Sequence, residues 1–230
     1  MGAIITVYQT KSDCSQGYGM TESLIVTMGL SSEWKPGTCG VIVPNTDLAI
    51  VPINEDEEST AGGQILKDGD TGEIVIKGPQ VMKGYLNNPK ATSQTITNEG
   101  WLHTGDIGRV KDGHLYVVDR VKELIKYKGH QVAPAELEGL LLLHPSVEDA
   151  AVIGIKDDVG GEVPRAFVVL KQDVNIADAE AKESVKQFVD DQVNPLSRLR
   201  GGVQIIDAIP KAASGKILRR TLRDKFGSEK

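Results

Sequence analysis

The sequence predicts a two-part protein of mixed α/β (α+β) class, in which a β-rich first part precedes a smaller part that combines helices and strands. Two observations lead to this prediction. Short β-like segments broken by Gly, Pro and Asn fill the chain up to about residue 118. After Asp119, apolar residues at helical spacing alternate with strand-like runs. The length of 230 residues falls between one and two ordinary domains of roughly 150 residues each, so it is compatible with two units.

Strands in the first part are indicated by short runs of aliphatic and β-branched residues. We predict strands at residues 40–43, 47–51, 73–77 and 114–118, the last after a turn at 111–114. Residues 4–8 are also strand-like. Residues 54–70 are acidic and rich in glycine, so we expect a surface loop there.

The second part begins with a predicted helix at Pro134, a residue type favoured at helix starts. Leucines recur at helical spacing until Pro145 ends the pattern, and they are Leu137, Leu140 and Leu141. Two strand-like runs follow, at residues 147–155 and 166–170, separated by a turn-rich stretch at 156–164.

Two further helices and a strand are predicted towards the end of the sequence. A helix at about 179–193 would bury Val185, Phe188 and Val189. A short strand is expected at 203–206, and a last helix after Ser214-Gly215. The expected apolar stripe of that last helix consists of Leu218, Leu222 and Phe226.

Composition excludes several classes of function. Hydrophobic residues make up 40% and aromatic residues 4%, and the net charge is −6, which gives no reason to expect nucleic acid as a partner. The two cysteines, Cys14 and Cys39, are too few for a disulfide scaffold or a thiolate metal site. No run approaches the roughly 18 apolar residues of a membrane span. We therefore expect a cytoplasmic protein without a membrane span.

Four segments carry the chemistry, and they are residues 16–22 (QGYGMTE), 100–106 (GWLHTGD), 119–129 (DRVKELIKYKG) and 210–218 (PKAASGKIL). In this order and at these separations they resemble the acyl-adenylate-forming (AMP-binding) superfamily, which contains acyl-CoA synthetases, peptide-synthetase adenylation domains and beetle luciferases. Residues 124–138 narrow the resemblance to the branch of 4-coumarate–CoA ligases and luciferases.

The resemblance implies a domain organisation. Residues 1–119 correspond to the C-terminal remnant of the large adenylating domain, and residues 120–230 to the small mobile α+β C-terminal domain. The hinge is expected at 119–122, where Lys122 would absorb the backbone change. The resemblance places Arg120 near the nucleotide ribose; the alternative is a surface ion pair with Asp119 or Glu123.

The first segment has a physical logic of its own. Gly17 and Gly19 would let the backbone approach a flat ligand, and Tyr18 offers a ring for stacking on adenine. Thr21 can donate to a phosphate, and Glu22 is a hard oxygen ligand suited to Mg²⁺. The resemblance assigns ATP or AMP binding to this segment, including Gln16. A glycine-rich surface turn with a solvated glutamate is the alternative.

The second segment ends in an acidic residue suited to a nucleotide. Asp106, expected in a tight turn after Gly105, could accept hydrogen bonds from both ribose hydroxyls, which is the role that the resemblance implies. The alternative is an aspartate that stabilises its own turn. His103 has no second His or Cys at a suitable spacing, so it is not a metal-ligand candidate.

The third segment is expected to form one strand on which Lys126 and Lys128 face the same side. The resemblance implies that Lys126 and Gln131 approach the adenylate in the thioester-forming state. It implies also that Lys128 and Gly129 line the channel for coenzyme A. A solvated lysine face on an edge strand is the alternative.

The fourth segment contains Lys216, which we interpret as the main catalytic residue. It lies in a Ser-Gly-Lys turn before a helix, so a loop could present its ammonium group to two anions. A lysine that bridges carboxylate and phosphate oxygens would stabilise the negative charge of adenylation, and Mg²⁺ would neutralise the departing pyrophosphate. A basic tail for targeting or RNA binding is the alternative, which the interspersed apolar residues disfavour.

The implied reaction is ATP-dependent activation of a carboxylic acid to acyl-AMP, followed by transfer to coenzyme A. A fatty acyl-CoA synthetase, a luciferase-like enzyme, and a non-catalytic nucleotide-binding or partner-binding fragment stay open as alternatives. Members of the superfamily carry a large N-terminal region with a phosphate loop ahead of the first segment. We therefore expect this chain to make acyl-adenylate poorly by itself, with the missing region in trans as a further possible partner.

Overall fold

The computed structural model describes residues 16–29, 35–53, 64–172, 174 and 176–226. The chain divides into two compact units, Met1–Val121 and Lys122–Lys230. The strand expected at residues 4–8, together with Cys14 and residues 54–63 of the expected acidic loop, lies outside the described residues. None of the helices within the described ranges is long and apolar enough to cross a membrane.

The first unit is built on a seven-stranded antiparallel sheet with the strand order β1-β2-β3-β7-β6-β5-β4. The strands are β1 Gly17–Met20, β2 Leu24–Met28, β3 Val41–Ile42, β4 Asp47–Val51, β5 Gly72–Lys77, β6 Leu102–Lys111 and β7 His114–Arg120. One helix, α1 Pro89–Thr95, begins where the side chain of Asn88 accepts a hydrogen bond from the Ala91 N–H. The largest core cluster of this unit joins β1, β2, β4, β5, β6 and β7.

The four strands predicted for the first unit are confirmed by β3, β4, β5 and β7. Three further strands and the helix α1 were not predicted. The expectation of a tight turn at Gly105 and Asp106 is wrong, because both residues lie within the long strand β6. Gly105 adopts a φ of +67°, and the ladder between β6 and β7 shifts register between Ile107 and Gly108. The strand is therefore irregular at this point but not broken.

The second unit contains a five-stranded sheet in which four strands follow the order β10-β11-β8-β9 and β12 pairs with β11. These strands are β8 Ile125–Tyr127, β9 His130–Val132, β10 Val147–Asp157, β11 Gly161–Leu170 and β12 Val203–Ile205. The helices are α2 Pro134–Leu141, α3 Asp178–Asp190 and α4 Arg219–Phe226.

Alternate residues of β10 point to opposite faces of this sheet. Ala150 and Val152 pack in a core cluster with residues of α2 and α3. Ala151 and Ile153 belong to a second cluster, which contains Leu222 of α4. The sheet is therefore covered by α2 and α3 on one face and by α4 on the other.

From Pro134 onwards, the predicted elements of the second unit are confirmed, with three corrections. The turn expected at 156–164 is narrower, because β11 already begins at Gly161 and Pro164 lies inside it opposite Gly154. The carbonyl of Pro164, within this strand, accepts a hydrogen bond from the Gly201 N–H. The helix expected to run to residue 193 ends at Asp190. Leu218 is 40% exposed and precedes α4, so it is not part of the buried stripe.

Candidate nucleotide site and lysine-bearing hairpins

The side chains of Tyr18, Asp106 and Arg120 meet in the first unit, although they come from three of the four segments. Asp106 is 2% exposed. It accepts a hydrogen bond of 2.7 Å from the Tyr18 hydroxyl, and its other carboxylate oxygen lies 2.9 Å from Nε of Arg120. Asp106 and Arg120 are also directly opposite each other in the ladder between β6 and β7. The sheet therefore holds a buried, charge-paired carboxylate.

Tyr18 is held as a neutral donor to this carboxylate. Burial and the charge of Asp106 both raise the pKa of the Tyr18 hydroxyl above its ordinary value. The Tyr18 N–H donates to the Thr27 hydroxyl, which in turn donates to the carbonyl of Cys39. The ring belongs to the core, and only 4% of the residue is exposed.

The glycines around Tyr18 serve the packing of strands β1 and β2. A Cβ atom at Gly19 would lie 2.1 Å from the carbonyl oxygen of Leu24, and one at Gly17 would lie 3.0 Å from that of Thr27. No side chain fits at Gly19 without moving the backbone. This close approach is a structural reason for the glycine, separate from the expected approach of a ligand.

Glu73 braces the strand segment that carries Asp106. Its carboxylate accepts a hydrogen bond of 3.1 Å from the Gly105 N–H and lies 3.0 Å from Nδ1 of His103. The Asp106 N–H donates to the Thr104 hydroxyl, which donates to the carbonyl of Ile74. The sequence did not single out Glu73. Its only signal was a charged residue directly before the apolar run at residues 74–76.

Glu22 offers an oxygen that fits a hard cation. One of its carboxylate oxygens accepts a hydrogen bond of 3.0 Å from the Tyr85 hydroxyl. Its other oxygen is buried and has no hydrogen-bond partner among the described residues. Burial and the bond to Glu22 raise the pKa of Tyr85, which keeps its hydroxyl a donor.

A single carboxylate with a spare oxygen suits Mg²⁺, which commonly takes one or two protein carboxylates and completes its shell with phosphates and water. The described residues contain no cluster of three or more His, Cys, Asp or Glu side chains that could hold a metal ion by themselves. Glu22 therefore fits a cation that arrives with a phosphate. Thr21 is exposed beside it, and Gln16 is half-buried just before β1.

Strands β8 and β9 of the second unit form a hairpin whose turn is Lys128-Gly129. Both turn residues have positive φ, 49° and 75°, which is the geometry of a tight two-residue hairpin turn. The expectation that Lys126 and Lys128 lie on one strand and face the same side is therefore wrong. Gln131 is instead the residue directly opposite Lys126 in the ladder, so these two side chains share a face.

Lys216 lies in a second, smaller hairpin of this unit. Lys211 and Ile217 form its bridge, and the Ala212 N–H donates to the carbonyl of Lys216 at 2.8 Å. Gly215 adopts a φ of +81° and closes the turn. Lys216 itself is exposed, so the fold presents its side chain to solvent at the end of a hydrogen-bonded loop.

Lys122 occupies the first position of the second unit. It lies in a one-turn 3₁₀ helix, Val121–Glu123, and is exposed. The neighbouring Arg120 was given a surface ion pair with Asp119 or Glu123 as its alternative role. Its guanidinium instead forms an ion pair with the buried Asp106.

Comparisons with known proteins identify the family of this chain. Residues 4–86 match the family model of the AMP-binding enzymes, and residues 136–216 match that of the AMP-binding enzyme C-terminal domain. Over 220 residues the chain is 52% identical to 4-coumarate–CoA ligase 2 of Oryza sativa subsp. japonica, covering 93% of this chain and 37% of that ligase. It is 50% identical to 4-coumarate–CoA ligase 1 of Glycine max, covering 93% of this chain and 71% of that protein.

A solved structure extends the comparison to three dimensions. The o-succinylbenzoate CoA synthetase of Bacillus subtilis, in complex with an acyl-adenylate intermediate, aligns with a TM-score of 0.73 and 34% identity. The alignment covers 91% of this chain and 41% of that one. These matches confirm the resemblance to the AMP-binding superfamily and the prediction of a mixed α/β fold. The chain belongs to the 4-coumarate–CoA ligase family of AMP-binding, adenylate-forming enzymes.

Proposed function

We propose that this chain supplies the nucleotide carboxylate, the hinge and two lysine-bearing hairpins of an AMP-forming acid–thiol ligase. The observation that carries the proposal is the convergence of Tyr18, Asp106 and Arg120 on one buried carboxylate. Its oxygens are held by a hydroxyl and a guanidinium, so the carboxylate is fixed in place for hydrogen bonds from ribose hydroxyls.

In the first step, an oxygen of the acid's carboxylate attacks the α-phosphorus of ATP, and pyrophosphate leaves with the electrons of the broken P–O bond. Lys216 stabilises the negative charge shared between carboxylate and phosphate, which its exposed position on a hydrogen-bonded hairpin supports. Glu22 and its spare oxygen would hold Mg²⁺, which when bound neutralises charge on the phosphates.

In the second step, the thiol sulfur of coenzyme A attacks the acyl carbon, its proton is lost, and AMP leaves. Lys126 and Gln131 share one face of the hairpin β8–β9 and would contact the adenylate. Lys128 and Gly129, at the hairpin turn, would line the path of coenzyme A. The exchange between the two steps uses Lys122, at the boundary of the units, as the hinge.

The chain covers about two fifths of the rice ligase, so the test uses a chimera in which the chain replaces the matching region of that enzyme. With 4-coumarate, ATP, Mg²⁺ and coenzyme A, we expect acyl-AMP, then the thioester and AMP. An Asp106→Ala chimera is expected to lose activity through a higher KM for ATP. A folded chimera that binds ATP but forms neither product contradicts the proposal and favours a non-catalytic nucleotide-binding role.

The chain by itself allows a second comparison. We infer that pyrophosphate exchange into ATP is weak when the chain is assayed alone and rises when the remaining region of the rice ligase is added as a separate polypeptide. Exchange at the full rate by the chain alone contradicts this inference. A panel of fatty acids, with thioester and light detection, separates the ligase from a fatty acyl-CoA synthetase or a luciferase-like enzyme.

A further inference from the structure

The hairpin that carries Lys216 is flanked by two ion pairs within the second unit. At its entrance, Nζ of Lys211 lies 2.6 Å from a carboxylate oxygen of Asp149. At its exit, the guanidinium of Arg219 lies 2.7 Å from the carboxylate of Glu138. Each pair joins an end of the hairpin to an element of the central fold, β10 in the first case and α2 in the second.

The exit pair is buried and geometrically determined. Glu138 is 8% exposed, and both of its carboxylate oxygens accept hydrogen bonds from Nη2 of Arg219, at 2.9 and 2.7 Å. One of these oxygens also accepts a hydrogen bond of 2.9 Å from the Val152 N–H of strand β10. Glu138 is thus fixed by the sheet before it meets Arg219, which is the first residue of α4. A paired and hydrogen-bonded charge of this kind tolerates little displacement.

The entrance pair is less buried but is also fixed from the sheet side. One carboxylate oxygen of Asp149 accepts a hydrogen bond of 3.0 Å from the Ala150 N–H, while the other lies beside Lys211. The side chains of Asp149 and Lys211 are 28% and 37% exposed. A carboxylate oriented by its own strand loses less side-chain entropy on pairing than two free surface residues would.

We propose that Glu138 and Asp149 are positioning residues for Lys216, because they hold both ends of its hairpin against the sheet and α2. Between the two anchors, the Ala212 N–H bonds to the carbonyl of Lys216 and the Leu218 N–H to that of Pro210, each at 2.8 Å. The hairpin therefore forms one body with the sheet and α2, and it presents the ammonium in a narrow range of positions. The consequence for catalysis rests on the proposed function of Lys216, since orientation of a charged group contributes to rate only where it meets the reacting atoms.

Hydrogen exchange of the full chain tests the anchoring without any assay of activity. Asp149→Asn keeps an oxygen for the Ala150 N–H and removes the charge; Glu138→Gln does the same for the Val152 N–H. The matched control is Asp224→Asn, which breaks the exposed pair between Arg220 and Asp224 in the same helix α4. We expect exchange of the Ala212 and Leu218 amides to rise about tenfold or more in both test variants and to stay unchanged in the control.

The outcomes separate anchoring from general loosening. Glu138→Gln removes a buried charge and could unfold the second unit. In that case Asp149→Asn, at a partly exposed site, still decides the question. Asp149→Glu is expected to restore the slow exchange. Unchanged exchange of the hairpin amides in Asp149→Asn overturns the proposal, and so does an equal rise for the amides of β10 and β11.

The two half-reactions provide the catalytic readout in the chimera with the rice ligase. We expect Asp149→Asn to lower kcat for acyl-AMP formation with little change in KM for ATP, and to leave the conversion of supplied acyl-AMP to thioester unchanged. Equal slowing of both half-reactions overturns the positioning role. If Lys216→Ala leaves adenylation unchanged, the proposed function of Lys216 fails, while hydrogen exchange still decides whether the anchors hold the hairpin.

Discussion

Replacing Tyr18 with phenylalanine removes one atom from the carboxylate site of the first unit. The lost hydroxyl donates a hydrogen bond of 2.7 Å to Asp106, which is 2% exposed and also paired with Arg120. The ring of Tyr18 is packed in the core, so phenylalanine fills the same space. The variant therefore isolates the hydrogen bond from the packing.

The expected cost at neutral pH follows from the charge of the acceptor. Hydrogen bonds to charged groups contribute about 1.5–3 kcal/mol to the free energy of unfolding. The deep burial of both partners favours the upper half of that range, because water cannot replace the missing donor. We expect Tyr18→Phe to be about 2.5 kcal/mol less stable than the parent chain at pH 8.

The difference between the two proteins is expected to shrink at alkaline pH. The pKa of Tyr18 is raised above its ordinary value of 10.0 in the folded protein, so the folded chain keeps a proton that the unfolded chain releases. The stability due to this shift is complete below pH 10 and is lost as pH rises towards the folded pKa. By linkage, about 1.4 kcal/mol of it is lost by pH 11. The Tyr18→Phe variant has no hydroxyl proton to release at this position, so it does not lose this part of the stability.

Urea unfolding followed by tryptophan fluorescence measures this difference, because both tryptophans of the sequence, Trp34 and Trp101, precede residue 122, and Trp101 packs against buried residues of the first unit. Tyr116→Phe is the control, since Tyr116 is paired with Arg109 across the ladder and not with Asp106. A difference between parent and Tyr18→Phe that is the same at pH 8 and pH 11 would refute the reasoning. So would a Tyr18→Phe variant as stable as the parent at pH 8.

Three further predictions concern other parts of the chain. Glu73→Ala removes the acceptor of the Gly105 N–H and the partner of His103, so we expect it to lower the stability of the first unit by about 2 kcal/mol. Asp47→Ala, at an exposed position, is the control and should change the stability little; equal effects of the two substitutions would contradict the bracing role of Glu73. Tyr85→Phe removes the hydrogen bond that orients the Glu22 carboxylate, so we expect calorimetry to show about tenfold weaker binding of Mg²⁺-ATP and unchanged binding of metal-free AMP. An equal loss of affinity for both ligands would argue against a cation site at Glu22. Burial first and Lys171 second lower the pKa of His144 below 6.5, so the stability due to its neutral form is present above that pH and lost as pH falls through the lower folded pKa. We expect its NMR titration midpoint to lie below 6.5, and a midpoint above that value would be the contrary result.

Local pattern was sufficient where the structure is locally determined. The strand Asp47–Val51 has the predicted bounds, and the helix α2 begins at Pro134 as predicted. In both cases short-range preferences and tertiary packing agree. The long strand β6 escaped prediction because Gly105, Gly108 and a buried aspartate interrupt its apolar alternation. The buried aspartate among these interruptions is Asp106, the carboxylate of the site.

The Lys128-Gly129 turn was within reach of the sequence. Glycine at the second position of a two-residue loop is typical of tight hairpins, and Lys128 and Gly129 both have the positive φ that such a turn requires. Treating the whole run as one strand placed Lys128 on the wrong face. The partners of the buried charges were beyond reach, since Glu138 and Arg219 are 81 residues apart and no local pattern links them.

The separate rates of the two half-reactions in the chimera test the central claim most directly, namely that one chain supplies different lysines to two steps. We expect Lys216→Ala to slow acyl-AMP formation by about 10²–10³-fold and to leave the conversion of supplied acyl-AMP to thioester unchanged. Lys126→Ala is expected to show the reverse pattern. If both variants slow the same step, or if neither slows either step, the account is contradicted.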